Sequence, residues 1–139
     1  MCRLGLNLII IKSYGGMNMA KILVVEDEED ILNLIKIILD MEGHSTILTK
    51  DGEEGIKALE DNDDISLIIL DIKMPNMNGW EFLEIIKNND KWKDIPVIVL
   101  TAYTQVSDIE KAKEMGVESY IAKPFSREEL IREINYIIK

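Results

Sequence analysis

Ile65-Ser66-Leu67-Ile68-Ile69-Leu70-Asp71 is the most apolar stretch of the chain, and it ends on a carboxylate. A short, aliphatic run of this kind reads as a strand buried on both faces, hence central in a parallel sheet. Three other runs have the same form. Val24-Val25 leads into Glu26-Asp27, Val97-Ile98-Val99-Leu100 into Thr101, and Tyr120-Ile121-Ala122 into Lys123. As parallel strands of one sheet, the four runs place these end groups along a single edge. In open α/β sheets ligands bind at that edge, outside the carboxyl ends of the strands. Three carboxylates, a hydroxyl and an ammonium converging there suit a divalent cation and a phosphoryl group.

Between the runs the pattern switches to helical spacing. Strands are expected at 22–25, 45–49, 65–70, 95–100 and 117–121. Helices are expected at 27–42, 51–59, 78–88, 105–115 and 126–138. The first helix carries Ile31, Leu34, Ile35, Ile38 and Leu39 at helical spacing and stops at Gly43. Ile56 and Leu59 face inward on the second, Phe82, Leu83 and Ile86 on the third, and Ile109 and Ala112 on the fourth. Ser126 with Glu129 three residues on is a capping-box signature for the fifth. Strict alternation of strand and helix implies right-handed crossovers and a doubly wound parallel sheet with helices on both faces. The expected fold is a flavodoxin-like (βα)5 domain with strand order 2-1-3-4-5. That order sets Asp71 between Glu26-Asp27 and Thr101, with Lys123 one strand further out.

The 139 residues suit one domain, and 47% hydrophobic content is enough for a core. A net charge of −10 argues against direct nucleic-acid binding and disfavours an anionic membrane surface. The single cysteine, Cys2, makes no internal disulfide, and no apolar run approaches the ~20 residues of a membrane span. A cytoplasmic location follows as an expectation. Residues 1–19 do not match the rest. Leu8-Ile9-Ile10-Ile11 is broken by Ser13-Tyr14-Gly15-Gly16, then Met17 and Met19 follow. Met19 is the expected natural start, with Gly15-Gly16 a translated ribosome-binding sequence; an added edge strand or partner-binding arm is the rival. The domain is expected over 20–139, ending with the fifth helix and without a fused output domain.

Clustered acids are costly. Two unit charges ~4 Å apart at an effective dielectric of ~20 repel by ~4 kcal/mol. Such a cluster raises its own pKa values or takes up a cation. Oxygen ligands without His or Cys select Mg²⁺ (or Mn²⁺), which accepts one or two carboxylates and keeps waters that a phosphate can displace. Asp27 and Asp71 are the expected direct ligands, Glu26 acts through water, and the Lys73 backbone carbonyl adds an oxygen. An Asp carboxylate can itself be the nucleophile. Asp71, on the central strand, is the expected phosphoacceptor, with Lys123 and Thr101 on the phosphoryl oxygens.

From about Lys21 to Lys139 the chain resembles the receiver domain of two-component response regulators. Lys21-Ile-Leu-Val-Val-Glu-Asp-Glu28 is similar to that family's acidic first strand. Asp71-Ile-Lys-Met-Pro-Asn-Met-Asn-Gly79 is similar to its phosphoacceptor strand and loop. Thr101-Ala102 resembles its switch hydroxyl with a small neighbour. Lys123-Pro124-Phe125 resembles its lysine loop, where the Lys-Pro bond is usually cis. The resemblance implies a phosphoryl group passed to Asp71 from a histidine kinase or histidine phosphotransfer protein. It implies Mg²⁺ on Glu26 and Asp27, and a switch in which Thr101 swings toward the phosphoryl group while Tyr120 turns inward. The face of the fourth helix, fifth strand and fifth helix is then read by an output protein, and a phosphorylation-dependent homodimer is left open. Lys73 and Tyr103 stand where the family tunes dephosphorylation. Apart from its own phosphotransfer and dephosphorylation, no enzymatic activity is expected.

Taken singly, each residue has a plainer reading. The acid run Glu26–Asp30 suits a solvated helix start, Asp71 a turn, Thr101 a cap, and Lys123 the surface. His44 is expected to be exposed and without a role. Met41 and Met115 are expected in the core, Met74 and Met77 as gap fillers in a loop, and Trp80 and Trp92 over the core edge. Two other functions compete. A Mg²⁺-dependent phosphohydrolase with an Asp nucleophile generally has a second acid two residues on, where this chain has Lys73. A flavodoxin-like FMN carrier needs a phosphate cradle after the first strand, where five acids would repel it.

Overall fold

The computed structural model describes residues 19–74, 77–102 and 105–138. The expectations for residues 1–18 and for Tyr103 lie outside these. Five strands, β1 (Lys21–Val25), β2 (Ser45–Thr49), β3 (Leu67–Leu70), β4 (Val97–Thr101) and β5 (Ser119–Ala122), alternate with five helices. The helices are α1 (Glu29–Met41), α2 (Gly52–Asp61), α3 (Gly79–Lys87), α4 (Val106–Glu114) and α5 (Arg127–Ile138). All strand pairs are parallel and the order is β2-β1-β3-β4-β5, as expected from the alternation.

Strand alternation divides the core into two layers. Leu23, Val25, Ile68, Leu70, Val97 and Val99 pack with Leu59 of α2 and Phe82, Leu83 and Ile86 of α3. Ile22, Val24, Leu67, Ile69, Ile98 and Leu100 pack with Leu32, Ile35, Ile38 and Leu39 of α1 and with Leu130 and Ile134 of α5. Trp80 and Trp92 cover the edge of the first layer, and Met115 packs against it.

Several details correct the sequence reading. On α1, Leu32 faces inward while Leu34 is exposed, and Met41 is exposed on the same stripe as Leu34 and Ile37. The heptad offset from Leu34 to Met41 puts both on one side of the helix. α1 begins at Glu29 rather than Asp27, because Glu28 is its N-cap with extended backbone. β3 starts at Leu67 rather than 65, and β5 covers Ser119–Ala122 rather than 117–121. His44 is buried: its Nδ1 accepts a hydrogen bond from the Ala20 N–H at 3.1 Å. Gly43 has φ 84°, the left-handed conformation expected just past a helix.

Candidate functional site

The strand order reverses direction between β1 and β3, which opens a crevice at their carboxyl ends. Val25 is in register with Leu70, so the next residues on each strand, Glu26 and Asp71, face each other there. Each is anchored by a backbone bond continuing the ladder, Glu26 N–H to Thr49 O at 3.0 Å and Asp71 N–H to Val25 O at 2.9 Å. On the other side Thr101 is in register with Ala122, and the Lys123 N–H donates to Thr101 O at 2.9 Å. The Lys123–Pro124 peptide is cis.

These backbones line a cleft of about 590 Å³ formed by Asp27, Glu28, Asp71, Lys73, Met74, Ala102 and Lys123. Glu26, Asp71 and Thr101 are buried at its base. Each of Glu26, Asp27 and Asp71 offers a carboxylate oxygen within 4.8 Å of the others. Asp71 is held at both oxygens: Oδ1 accepts from the Lys73 N–H at 3.2 Å, and Oδ2 from Lys123 Nζ at 3.2 Å. The Lys123 ammonium also lies 2.8 Å from Glu26 Oε1 and 2.8 Å from Glu28 Oε1. Its contact with Glu26 is an ion pair without hydrogen-bond alignment, so Glu26 Oε1 is a buried carboxylate oxygen with no aligned donor.

The charges respond to this crowding. Burial pushes the Glu26 carboxyl up to about 7; Lys123 and the Glu28 N–H pull the other way, and the Asp71 charge adds to the rise. Burial acts against the Lys123 ammonium, but its contacts with Glu26 and Glu28 and the charge of Asp71 outweigh burial, holding its pKa above the ordinary lysine value. Lys123 in turn lowers Glu28. Tyr120, half-buried on β5, is raised to about 12, chiefly by burial, then by Asp108 and Asp71. Four carboxylates, Glu26, Asp27, Glu28 and Asp71, against the ammonium groups of Lys73 and Lys123 leave the cleft net negative. The unaligned Glu26 oxygen and the all-oxygen donor set fit a hard divalent cation.

Two local contacts fix the start of α3 beside Asp71. Asn78 Oδ1 accepts from the Glu81 N–H at 3.0 Å and Glu81 Oε1 from the Asn78 N–H at 3.1 Å, a capping box on α3 that the sequence reading missed. Its Asn-x-x-Glu spacing was present as a signal. Gly79 N–H donates to Ile72 O at 2.8 Å, and a Cβ at Gly79 would stand 2.5 Å from Ile72 Cα and 2.7 Å from Asp71 O. The structure also brings Glu28 into the cleft, a residue to which no sequence pattern assigns a role. Its contact with Lys123 joins residues 95 apart in the chain, which no local pattern encodes.

A family model described as response regulator receiver domain matches residues 22–135. The chain belongs to the response regulator receiver domain family. It is 38% identical over 120 residues to the response regulator SaeR of Staphylococcus aureus, covering 86% of this chain and 51% of that protein. The receiver thus spans about half the length of the curated relatives it matches. Among solved structures it resembles the chemotaxis response regulator CheY4 of Vibrio cholerae, with TM-score 0.80, 28% identity, and 86% and 98% of the two chains covered. It also resembles the receiver domain of a sensor histidine kinase from Pseudomonas aeruginosa, described with a magnesium ion coordinated in the active site cleft. There the TM-score is 0.78 at 29% identity, with 86% and 97% covered. Receivers of this family are phosphorylation-switched modules of two-component signalling. Among the described residues of this one, no helix is long and apolar enough to cross a membrane.

Proposed function

We propose that Asp71 is the phosphoacceptor of this receiver and takes its phosphoryl group from the phosphohistidine of a histidine kinase or phosphotransfer protein. An Asp71 carboxylate oxygen forms the new P–O bond as the donor's P–N bond breaks, and the departing nitrogen takes up a proton. Asp27 and Asp71 would hold Mg²⁺ directly, with Glu26 through water and the Lys73 carbonyl beside them. When bound, the ion supplies neutralisation of the charge on the transferred oxygens. Lys123 covers a second oxygen and the Thr101 hydroxyl a third. Lys73 and Tyr103 tune the return to the unphosphorylated state.

The observation that carries this reading is the double anchoring of Asp71. Lys73 N–H on Oδ1 and Lys123 Nζ on Oδ2 fix a buried carboxylate at the base of an acidic cleft. Once phosphorylated, the added charge draws Thr101 and lets Tyr120 turn inward, and the face of α4, β5 and α5 is remodelled for an output partner. The test is incubation with phosphoramidate and Mg²⁺ followed by intact mass. A gain of one phosphoryl group, lost in Asp71→Asn, is expected. An unchanged mass, or a phosphorylated Asp71→Asn, overturns the assignment.

A further inference from the structure

Resting on the receiver reading, we propose that Glu28 is a positioning residue that withholds Lys123 from the phosphoryl site. The Lys123 ammonium is shared among three carboxylates: it hydrogen-bonds Glu28 at 2.8 Å and Asp71 at 3.2 Å, and it is ion-paired with Glu26 at 2.8 Å without hydrogen-bond alignment. Asp71, the group Lys123 must serve, has the longest of the three contacts. A phosphoryl oxygen gains full use of the ammonium only if another acceptor lets go. Glu26 cannot do so cheaply, because its side chain is 2% exposed and would be left as a buried, unpaired carboxylate. The Glu28 side chain is 61% exposed, so water replaces the ammonium there at little cost.

The place of Glu28 in the fold supports the same division. It is the N-cap of α1, yet its side chain makes no capping bond to the helix and reaches Lys123 instead. Its backbone N–H donates to Glu26 Oε2 at 3.0 Å, which fixes it at the cleft rim whatever its side chain does. A carboxylate released from Lys123 falls back toward the positive end of the α1 dipole, which favours it. Glu28 therefore has two stations, Lys123 before phosphorylation and the α1 terminus after it.

The test is the kinetics of phosphoramidate phosphorylation with Mg²⁺ on the full chain, for wild type, Glu28→Gln, Glu28→Ala and Glu29→Gln. Glu29 carries the same charge one residue on, and among the described residues it forms no hydrogen bond or ion pair with Lys123. Both Glu28 variants are expected to raise the maximal rate constant about two- to fivefold, the range an exposed ion pair allows. The half-saturating donor concentration stays unchanged, and Glu29→Gln matches wild type. A gain shared by Glu29→Gln, or confined to the half-saturating concentration, would assign the effect to charge attraction and overturn the proposal. Equal or slower Glu28 variants overturn it as well. In those cases the wild type still gains a phosphoryl group on Asp71; if it gains none, the receiver reading fails first.

Discussion

Asp71 is only as well placed as the backbone behind it, and Gly79 sets that backbone. With a Cβ 2.5 Å from Ile72 Cα and 2.7 Å from Asp71 O, Gly79→Ala must push β3's end away from α3. The two nearest neighbours are main-chain atoms, so no side-chain rotation relieves the clash. The expected outcome is a loss of about 1–3 kcal/mol in urea unfolding, typical of overpacking, together with slower phosphorylation of Asp71. His44 makes a second prediction at this scale. Burial lowers its pKa, the Glu42 charge opposing, and its Nδ1 accepts the Ala20 N–H and so must stay unprotonated. A folded pKa below the unfolded 6.5 means the contribution is complete above about pH 6.5 and is lost as pH falls through the folded value. The stability difference between wild type and His44→Gln should therefore shrink on going from pH 7.5 to 5. A constant difference across that range would contradict the linkage.

Elements reach the cleft by their ends, and this explains what could be read in the sequence. An apolar run that stops at a charged or hydroxyl residue declares both the strand and the end group, so Glu26, Asp27, Asp71, Thr101 and Lys123 were placed on the right rim by pattern alone. Register did the rest, since parallel pairing of Val25 with Leu70 brings two acids together automatically. What stayed hidden depends on side-chain direction or on single backbone groups. Leu34 and Leu32 are both apolar on an amphipathic helix, and only the angle at which α1 lies on the sheet decides which one is buried. His44 is buried because the Ala20 N–H, just ahead of β1, needs an acceptor. The α3 capping box belongs to this scale too. Asn78→Ala removes the acceptor for the Glu81 N–H and should cost about 1 kcal/mol, within the usual N-cap range. Because α3 starts close behind Asp71, the variant should also raise amide exchange at Gly79 to Glu81, and unchanged exchange there would separate the cap from the segment that follows β3.

For the whole molecule the acidic cleft is a stability cost accepted for function. Glu26 shows it most directly: a carboxyl raised to about 7 is one the fold prefers protonated. With a folded pKa above the unfolded 4.5, its contribution is complete below about pH 4.5 and is lost as pH rises through about 7. Glu26→Gln mimics the protonated form, so in metal-free buffer at pH 8 it should be more stable than wild type, by a margin of order 1–3 kcal/mol. That margin should vanish toward pH 4.5. Mg²⁺ should reverse the ranking, because a ligand bound only by the folded state stabilises by RT ln(1 + [L]/Kd), about 2.7 kcal/mol at a hundredfold excess over Kd. Thermal melts of both proteins with EDTA and with millimolar Mg²⁺ distinguish the two regimes. The wild-type Tm should rise with Mg²⁺ while that of Glu26→Gln rises much less. If both proteins gain equally from Mg²⁺, Glu26 has no part in holding the ion; if Glu26→Gln is less stable without Mg²⁺ at pH 8, the carboxylate is stabilised by Lys123 more than burial penalises it.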